Sequence, residues 1–423
     1  MTKHTHKLPA GIAIHACIAA LAALFVALRF PHDAPDTARY LDEARNLAIQ
    51  GVFSLDGASP TTRDVPGFPF LLAIFIKAGL DPVFWARLAN ALCIGFIAAG
   101  CGRITRILTA GTRWRELSTV LAVYAGGLFP TVLGCSLFAL TELPFTALWL
   151  WSHLFLLEAV CSSGRNTPGR WAAAGALLGL ACLVRPVPLL YPALLLPALL
   201  LAAALRSSHQ LPFRERFFRP WPRAALFLGA MAAVVLPWTA RNFAVTGGFL
   251  PLNDGAGMHL YIGASQEWRG EYPDFEPVMP LLEQGMTLGE ANRELGRQAR
   301  ESIRNHPAAW AGLLPVKWKR LWLEVPGAKR QIQSRTLKLA LTGFAACSLL
   351  LAAAGVWRFR REPAAWLLLL PACYLTGVHG VLFAMARFRI PAEPYLACLA
   401  VAAVAPLLGA AWLRIRNRRG GAA

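Results

Sequence analysis

Long apolar runs separated by short polar links make up most of this chain. A helix needs about 20 largely apolar residues to cross the hydrocarbon core of a bilayer, and this length predicts about ten membrane spans. The predicted spans lie near residues 9–29, 83–101, 117–135, 140–159, 171–184, 187–205, 222–240, 335–357, 364–384 and 393–413. No internal repeat or low-complexity linker divides the sequence. The pattern therefore predicts an all-α integral membrane protein in which residues 1–423 form a single multi-pass domain.

Two longer polar stretches, residues 30–82 and 241–334, interrupt the apolar pattern. Within the first, apolar residues recur at helical spacing over Asp36–Gln50, which predicts an amphipathic helix. Its polar side is predicted to carry Asp42, Glu43, Arg45 and Asn46. The apolar segment Phe68–Leu80 is short, which favours a juxtamembrane helix that lies at the interface instead of crossing. The second stretch predicts a helix over Leu288–Arg304 and a further interfacial helix after it.

Composition and charge predict how these spans are oriented across the membrane. The chain is 56% hydrophobic and 15% charged, with a net charge of +19 and a mean hydropathy of +0.46. The basic residues cluster at the two ends and in alternate short links: Lys3, Lys7, Arg103, Arg106, Arg113, Arg115, Arg165, Arg170, Arg206, Arg214, Arg216, Arg219, Arg223, Arg358, Arg360, Arg361, Arg414, Arg416, Arg418 and Arg419. The positive-inside rule assigns such links to the cytoplasm. Both termini are therefore predicted to be cytoplasmic, and residues 30–82 and 241–334 to be extracytoplasmic loops.

The same distribution of charge limits the classes of partner. The arginines are scattered over separate turns, whereas nucleic-acid-binding proteins gather them on one face, so no nucleic acid is expected as a partner. Basic cytoplasmic turns do suit anionic membrane lipids. The first apolar run follows Lys3 and Lys7 but is too long for a cleaved signal, which favours an uncleaved signal anchor.

Nine cysteines occur, all within or at the edges of predicted spans. None lies in the two long loops, so neither a disulfide framework nor a cysteine-based metal site is predicted.

Candidate chemistry lies at the predicted outer face. The first loop places Asp36, Tyr40, Arg63 and Asp64 just outside the bilayer. Ionisable residues close to the hydrocarbon core are costly and commonly functional. Near the last span, arginines 387 and 389 stand at the outer side, against the charge bias of the chain.

Eight short segments occur along the chain in the same order as in one superfamily of proteins. They are D-x-x-x-Y-x-x-x-A (Asp36, Tyr40, Ala44), a Pro-Gly-x-Pro turn (Pro66, Gly67, Pro69), Thr141-Glu142, Gly179 to Pro186, Pro237 to Phe243, Gly257 to Gly263, Asn305 to Pro307, and Arg387 to Pro394. In the order of these segments the chain resembles the GT-C superfamily of polyprenyl-phosphate-sugar-dependent glycosyltransferases. The resemblance extends from about residue 10 to residue 413. The likeness is to the branch that includes protein O-mannosyltransferases and the lipid A aminoarabinose transferase. Two departures are Thr37, where the family has an acidic residue, and the lack of a soluble domain after the last span.

The resemblance implies a GT-C-type membrane fold and transfer of a hexosyl or pentosyl group from a polyprenyl-phosphate-linked donor. The acceptor would be a glycolipid, a polysaccharide or a protein, on the extracytoplasmic face of a bacterial inner membrane. Asp36 would act as the general base. Arginine grips phosphate oxygens with its planar fork, and Arg387, Arg389 and Arg241 would hold the lipid phosphate. The remaining acceptor or donor site residues would be Tyr40, Arg63, Asp64, Glu142, Arg185 and His259.

Each assignment has a structural alternative. Asp36 could instead cap the helix it precedes, and Glu142 could complement a helix dipole. The outer arginines could be interface anchors, and His259 could be a solvated or structural histidine. A divalent metal stays open, because the superfamily varies in metal dependence and no cluster here has clear ligand spacing.

A transporter or flippase for lipid-linked glycans is the alternative function, and a non-catalytic assembly subunit is a third. Transporters usually contain repeats with broken helices at the bilayer midplane. No such repeat is detected in this chain.

The charge pattern predicts a topology that reporter fusions can test. A reporter that is active only outside the cytoplasm should be active when fused near Ser54 or Tyr272. It should be inactive near Ser207 or after Arg419. An inactive fusion at Ser54 would contradict the topology, since Asp36 would then face the cytoplasm.

Overall fold

A computed structural model describes residues 10–32, 34–161, 167–206, 212, 214, 221–273, 276–325 and 334–420. Every regular element in these ranges is helical, and the sole pairing of extended backbone among them is an isolated bridge between Ser54 and Pro60. The predicted all-α class is confirmed. Among the basic residues used to orient the spans, Lys3, Lys7, Arg165, Arg216 and Arg219 lie outside the described residues.

In the described ranges, seven helices are long and apolar enough to cross a membrane, the last together with a 3₁₀ turn that precedes it. They are α1 (Ala10–Arg29), α4 (Pro82–Leu108), α7 (Glu142–Cys161), α10 (Trp221–Thr246), α16 (Arg335–Arg358), α17 (Pro363–Val381) and α18 (Glu393–Gly420). An eighth span is formed if α5 (Arg115–Gly127) and α6 (Pro130–Gly134), which continues to Leu137, are counted as one helix bent by 41°. Two further predicted spans form shorter apolar helices, α8 (Thr167–Val184) and α9 (Tyr191–Arg206). The predicted count of ten is therefore not confirmed.

The two polar stretches contain shorter helices. They are α2 (Pro35–Gln50), α3 (Gly67–Lys77), α11 (Ala256–Ala264), α12 (Met279–Glu283), α13 (Leu288–Asn305), α14 (Pro307–Gly312) and α15 (Leu314–Leu323). The two helices predicted in the first loop are thus present, as is the one predicted from Leu288. The predicted interfacial segment after Asn305 is divided into α14 and α15.

Local sequence signals account for several helix ends. The Asp81 carboxylate accepts hydrogen bonds from the backbone N–H groups of Val83 and Phe84, at 2.9 and 3.1 Å, and Pro82 occupies the first helical position of α4. Thr287 and Glu290 form a capping box at the start of α13. Helix α2 ends at Gly51, whose φ of 75° is the left-handed conformation that glycine adopts without strain.

Small residues allow the spans to approach closely. Helix α16 packs on α18 at Gly355, where a Cβ atom would lie 2.0 Å from the carbonyl oxygen of Leu399. Helix α8 packs on α10 in the same way, at Gly175 and the carbonyl oxygen of Phe227. Such backbone-to-backbone contact is typical of helix pairs in membranes, because lipid offers no hydrophobic driving force between them.

The two polar stretches are joined at one end of the bundle. The backbone N–H of Asp254 donates to the carbonyl oxygen of Thr62 at 2.8 Å, and the Thr62 hydroxyl donates to the Asp254 carboxylate at 3.1 Å. Asn253 donates to the carbonyl oxygen of Arg63 at 2.9 Å. These bonds build one polar layer from segments that are about 190 residues apart in the chain.

A matched pair of glycines in α16 tests the role of close packing. Gly355→Ala should lower the melting temperature, because the added methyl group meets backbone that cannot move aside, at a cost of about 1–3 kcal/mol. A Cβ atom added at Gly343 would meet no atom of another described segment within 4 Å, so Gly343→Ala should leave the melting temperature unchanged or raise it slightly. Thermal unfolding of both variants in detergent provides the measurement. Equal melting temperatures would contradict the packing described for α16 and α18.

Candidate active site

A cavity of about 2330 Å³ opens at the end of the bundle where the polar stretches meet. Its walls come from α2, the start of α7, the end of α8, the second polar stretch, one face of α16, and a 3₁₀ turn, Ala386–Ala392, that leads into α18. All of the sequence-predicted site residues except Arg241 line it. The cavity therefore collects residues from both ends and from the middle of the chain.

Asp36 lies in the first turn of α2 and is about a quarter exposed. The capping residue of this helix is Ala34, and no side chain caps the helix end. The alternative in which Asp36 caps the helix is therefore wrong. The Asp36 carboxylate instead accepts a hydrogen bond from Arg387 Nη1 at 2.8 Å, and its other oxygen lies 3.9 Å from Arg39.

Arg387 and Arg185 meet around one buried carboxylate. Arg185 Nη1 donates to Glu142 at 2.7 Å and to the Thr141 hydroxyl at 3.1 Å. Arg387 Nε lies 3.9 Å from the same Glu142 oxygen. Both guanidinium groups also lie 5.8 Å from the ring centre of Phe388, which helps to fix their separation.

The donors of these two arginines are only partly used. Within the described parts of the chain, only the Nη1 group of each donates a hydrogen bond. Nε of Arg387 is buried near Glu142, and the remaining N–H groups of the two arginines lie on cavity-lining side chains. Because a guanidinium has five donors in a rigid fork, each arginine could bind a carboxylate and a ligand oxygen at the same time.

A second pair of arginines extends the charged wall. Arg39 Nε donates to Asp64 at 2.6 Å. Arg63 donates to Glu276, and the Tyr272 hydroxyl lies 3.5 Å from the same carboxylate. Arginines and carboxylates thus alternate along the wall from Glu142 to Glu276, and each carboxylate faces a cation.

This pairing controls the ionisation of Asp36. Burial by itself would raise the pKa of the carboxyl group, but the Arg387 and Arg39 guanidinium groups outweigh burial and hold that pKa below its ordinary value. Asp36 is therefore ionised at neutral pH. An ionised carboxylate in this position can accept a hydrogen bond or a proton from a hydroxyl group in the cavity.

Tyr40 and His259 supply neutral polar groups to the cavity. Burial raises the pKa of Tyr40 to about 12, and burial lowers that of His259 to about 4. Tyr40 therefore keeps its phenolic proton at neutral pH, and His259 is an uncharged imidazole. His259 also packs on Phe383, with ring centres 5.2 Å apart, so it is not the fully solvated histidine of the structural alternative.

Two of the predicted phosphate-binding arginines occupy structural positions. Arg389 is buried, and it donates to Glu393 at 2.8 Å and to the carbonyl oxygens of Leu321 and Glu324 at 3.0 and 2.6 Å. Arg241 does not line the cavity, and it donates to the carbonyl oxygens of Thr61 and Phe53 at 2.7 and 3.2 Å. Their positions offer no support for the predicted binding role.

Sequence reasoning missed Arg39, Tyr272 and Glu276 as parts of this wall. The spacing of three residues between Asp36 and Arg39 on one helix was a usable signal, since such residues share a helix face. No local signal marks Glu276 as the partner of Arg63, because 213 residues separate them. Among the described residues, no group of three or more His, Cys, Asp or Glu side chains could hold a metal ion.

Comparison with known proteins gives matches in structure but not in sequence. No family model and no curated protein matches the chain. The archaeal oligosaccharyltransferase AglB from Archaeoglobus fulgidus, in complex with an inhibitory peptide and a dolichol-phosphate, superposes with a TM-score of 0.57 at 13% identity. That match covers 97% of this chain and 52% of AglB. The apo form of the same oligosaccharyltransferase gives a TM-score of 0.56 at 13% identity, covering 96% of this chain and 52% of that one.

The chain has the GT-C fold. It spans about half the length of AglB. A further GT-C structure, ArnT from Cupriavidus metallidurans bound to undecaprenyl phosphate, is similar at a TM-score of 0.43 and 16% identity, over 94% of this chain and 78% of ArnT. The matches to the oligosaccharyltransferase confirm the predicted resemblance at the level of the fold.

The different surroundings of Arg387 and Arg389 predict different effects of truncation. Arg389→Ala removes the cation from the buried Glu393 carboxylate, and breaking a buried pair in this way costs about 3–5 kcal/mol. Arg387→Ala should lower the melting temperature much less, because Arg387 is about one-third exposed and Glu142 keeps Arg185. Thermal unfolding of the two purified variants measures the difference. Equal losses of stability would show that the two arginines do not differ in this way.

Proposed function

We propose that this protein transfers a sugar from a polyprenyl-phosphate-linked donor to an acceptor, with Asp36 as the general base. The observation that carries the proposal is the ionised Asp36 carboxylate in a large cavity, beside arginines with unused donors. The GT-C fold of the chain supports it.

The chemistry at Asp36 is a displacement at the anomeric carbon of the sugar. The acceptor oxygen or nitrogen forms a bond to that carbon while the bond from the carbon to the phosphate oxygen breaks. The electron pair of the broken bond stays on the phosphate, and the acceptor proton passes to Asp36. One Asp36 oxygen holds Arg387, and the other, 3.9 Å from Arg39, has room for the acceptor group.

Arg387 and Arg185 are the proposed phosphate ligands. The leaving phosphate gains negative charge in the transition state, and fixed cations aimed at that charge lower the barrier. Their available N–H groups meet this need without loss of the bonds to Asp36 and Glu142. Because the phosphate would share the charge of Arg387, donor binding would also make Asp36 a stronger base.

The isoprenoid chain of the donor is proposed to lie along α16. Lys338, Leu341, Thr342 and Ala345 recur at helical spacing on the cavity-lining face of this helix. Leu341 and Ala345 provide apolar contact, and Lys338, in the first turn, has no ion-pair partner among the described residues. The cation lies at one end of the apolar face, which suits an anionic headgroup with an apolar tail.

The acceptor, a glycolipid, a polysaccharide or a protein, is proposed to enter from the second polar stretch. The wall there carries His259, Trp268 and Tyr272, whose rings combine apolar area with hydrogen-bonding groups. The AglB complex, with an inhibitory peptide and a dolichol-phosphate in one protein, supports the presence of two kinds of ligand on this fold. The positive-inside pattern supports an extracytoplasmic cavity and cytoplasmic termini. The proposal further places the protein in a bacterial inner membrane, with residues 1–423 acting as one domain.

Asp36→Asn tests the assignment of the base. Asparagine preserves size and can still bind Arg387 through its carbonyl oxygen, but it cannot accept the proton. We expect normal insertion and donor binding, with transfer slower by roughly a hundredfold or more, as for the loss of a positioned general base. The measurement is sugar transfer from polyprenyl phosphate in membranes, with protein level and donor binding determined in parallel.

Asp42→Asn provides the matched control on the same helix. Asp42 is about half exposed and faces Arg45, away from the cavity, so this variant should transfer sugar like the parent. If Asp36→Asn also transfers like the parent, Asp36 is not the base. If it fails to bind donor, the role of Asp36 is to hold Arg387.

A further inference from the structure

Glu43 is the most unusually placed acid in α2. It follows Asp36, Arg39 and Tyr40 at seven, four and three residues, a spacing that sets all four on one face of the helix. The side chain of Glu43 is fully buried, at 0% exposure. No N–H or O–H group of the described residues donates a hydrogen bond to either of its carboxyl oxygens. An ionised carboxylate that is buried without hydrogen bonds would strongly destabilise the folded protein.

The neighbours of Glu43 explain how it is accommodated. The Asp64 carboxylate lies within hydrogen-bonding reach, and the guanidinium groups of Arg39 and Arg63 are near. Arg241, on α10, also acts electrostatically on Glu43. Burial first, and then the charge of Asp64, raise the pKa of Glu43 to about 9, against the opposing effect of the arginines. At neutral pH Glu43 is therefore a carboxylic acid.

A protonated carboxyl group is a hydrogen-bond donor. The Asp64 carboxylate is an acceptor within reach of this proton, and Arg39 donates to its two oxygens at 2.6 and 3.4 Å. A bond from Glu43 would hold the Asp64 carboxylate from a second side and so help to fix the position of Arg39. Arg39 in turn lies 3.9 Å from the Asp36 carboxylate.

We propose that Glu43 is a positioning residue that acts as a neutral acid, donating a hydrogen bond to Asp64 and thereby aligning Arg39 beside Asp36. This role rests on the proposed transferase function, although the protonation of Glu43 does not. Glu43 is outside the cavity lining and acts only through Asp64 and Arg39.

Protonation can be tested without any activity assay. A buried acid with a raised pKa makes the folded state bind more protons than the unfolded state, so the parent loses stability as pH rises from 4.5 towards about 9. Glu43→Gln removes this dependence because the amide does not ionise. The melting temperature of Glu43→Gln should therefore exceed that of the parent by an amount that grows across this pH range. The exposed Asp42→Asn variant should show no such growing difference.

Positioning is tested by a pair of substitutions of similar size. Glu43→Gln keeps a donor for Asp64, whereas Glu43→Leu fills the space without one. We expect sugar transfer by Glu43→Leu to fall by roughly ten- to a hundredfold, since a displaced catalytic group can cost this much. Glu43→Gln should recover most of that loss. The transfer rate of the parent should also fall above pH 9, where Glu43 ionises beside Asp64, and this decline should be absent in Glu43→Gln.

The outcomes separate the two proposals. Full activity in Glu43→Leu, or equal defects in Glu43→Leu and Glu43→Gln, would overturn the positioning role. If Glu43→Leu does not fold, the fall in transfer rate above pH 9 decides. A fall that persists in Glu43→Gln overturns the positioning role, and its absence in that variant supports the role. A parent without transfer activity would refute the proposed function, while the pH-dependent melting difference would still report whether Glu43 is protonated.

Discussion

The site depends on how charge is neutralised at the boundary between protein and membrane. An isolated carboxylate or guanidinium in such a place is costly, and the cost is offset only when each charge has a close partner. Glu142 illustrates the solution, because it is nearly fully buried and has one arginine at 2.7 Å and a second at 3.9 Å. The carboxylate fixes the two guanidinium groups near each other, where their mutual repulsion would otherwise separate them. The close approach of these two arginines therefore depends on Glu142.

The cavity wall also depends on contacts that carry no reactive group. Arg241 holds the backbone of the first polar stretch, and Arg389 ties the 3₁₀ turn to the end of α15. Lys317 adds a third such contact, because its buried ammonium group donates to the carbonyl oxygen of Gly263 at 3.0 Å and that of Leu382 at 3.3 Å. Arg389 and Lys317 satisfy carbonyl groups at helix ends, and Arg241 satisfies carbonyl groups of a loop. These hydrogen bonds help to fix the position of the backbone that carries His259 and Arg387.

Much of the architecture could be predicted from the sequence, because apolar length and charge bias report on the membrane directly. The helices over Asp36–Gln50 and from Leu288 were also recognisable from periodicity. The span count differed because the predicted spans over residues 171–184 and 187–205 form the shorter helices α8 and α9, and because the predicted span over residues 117–135 is bent between α5 and α6. The pattern placed Glu43 on the polar side of its helix, but Glu43 is fully buried in the structure, near Asp64 and Arg63 of the first polar stretch. The sequence also could not show the partners of Arg241 and Arg389, because these are mainly backbone carbonyl groups.

The pairing of Asp36 with Arg387 has a consequence for biosynthesis. The two residues are 351 positions apart, and the arginine precedes the last membrane helix. During synthesis, the segment that carries Asp36 would therefore reach the membrane long before Arg387 is made. Until α18 is inserted, the nascent protein would lack both the counter-charge of Asp36 and one half of the arginine pair. Under the proposed function, chains that stall or are truncated during synthesis would be inert and would not consume lipid-linked precursors.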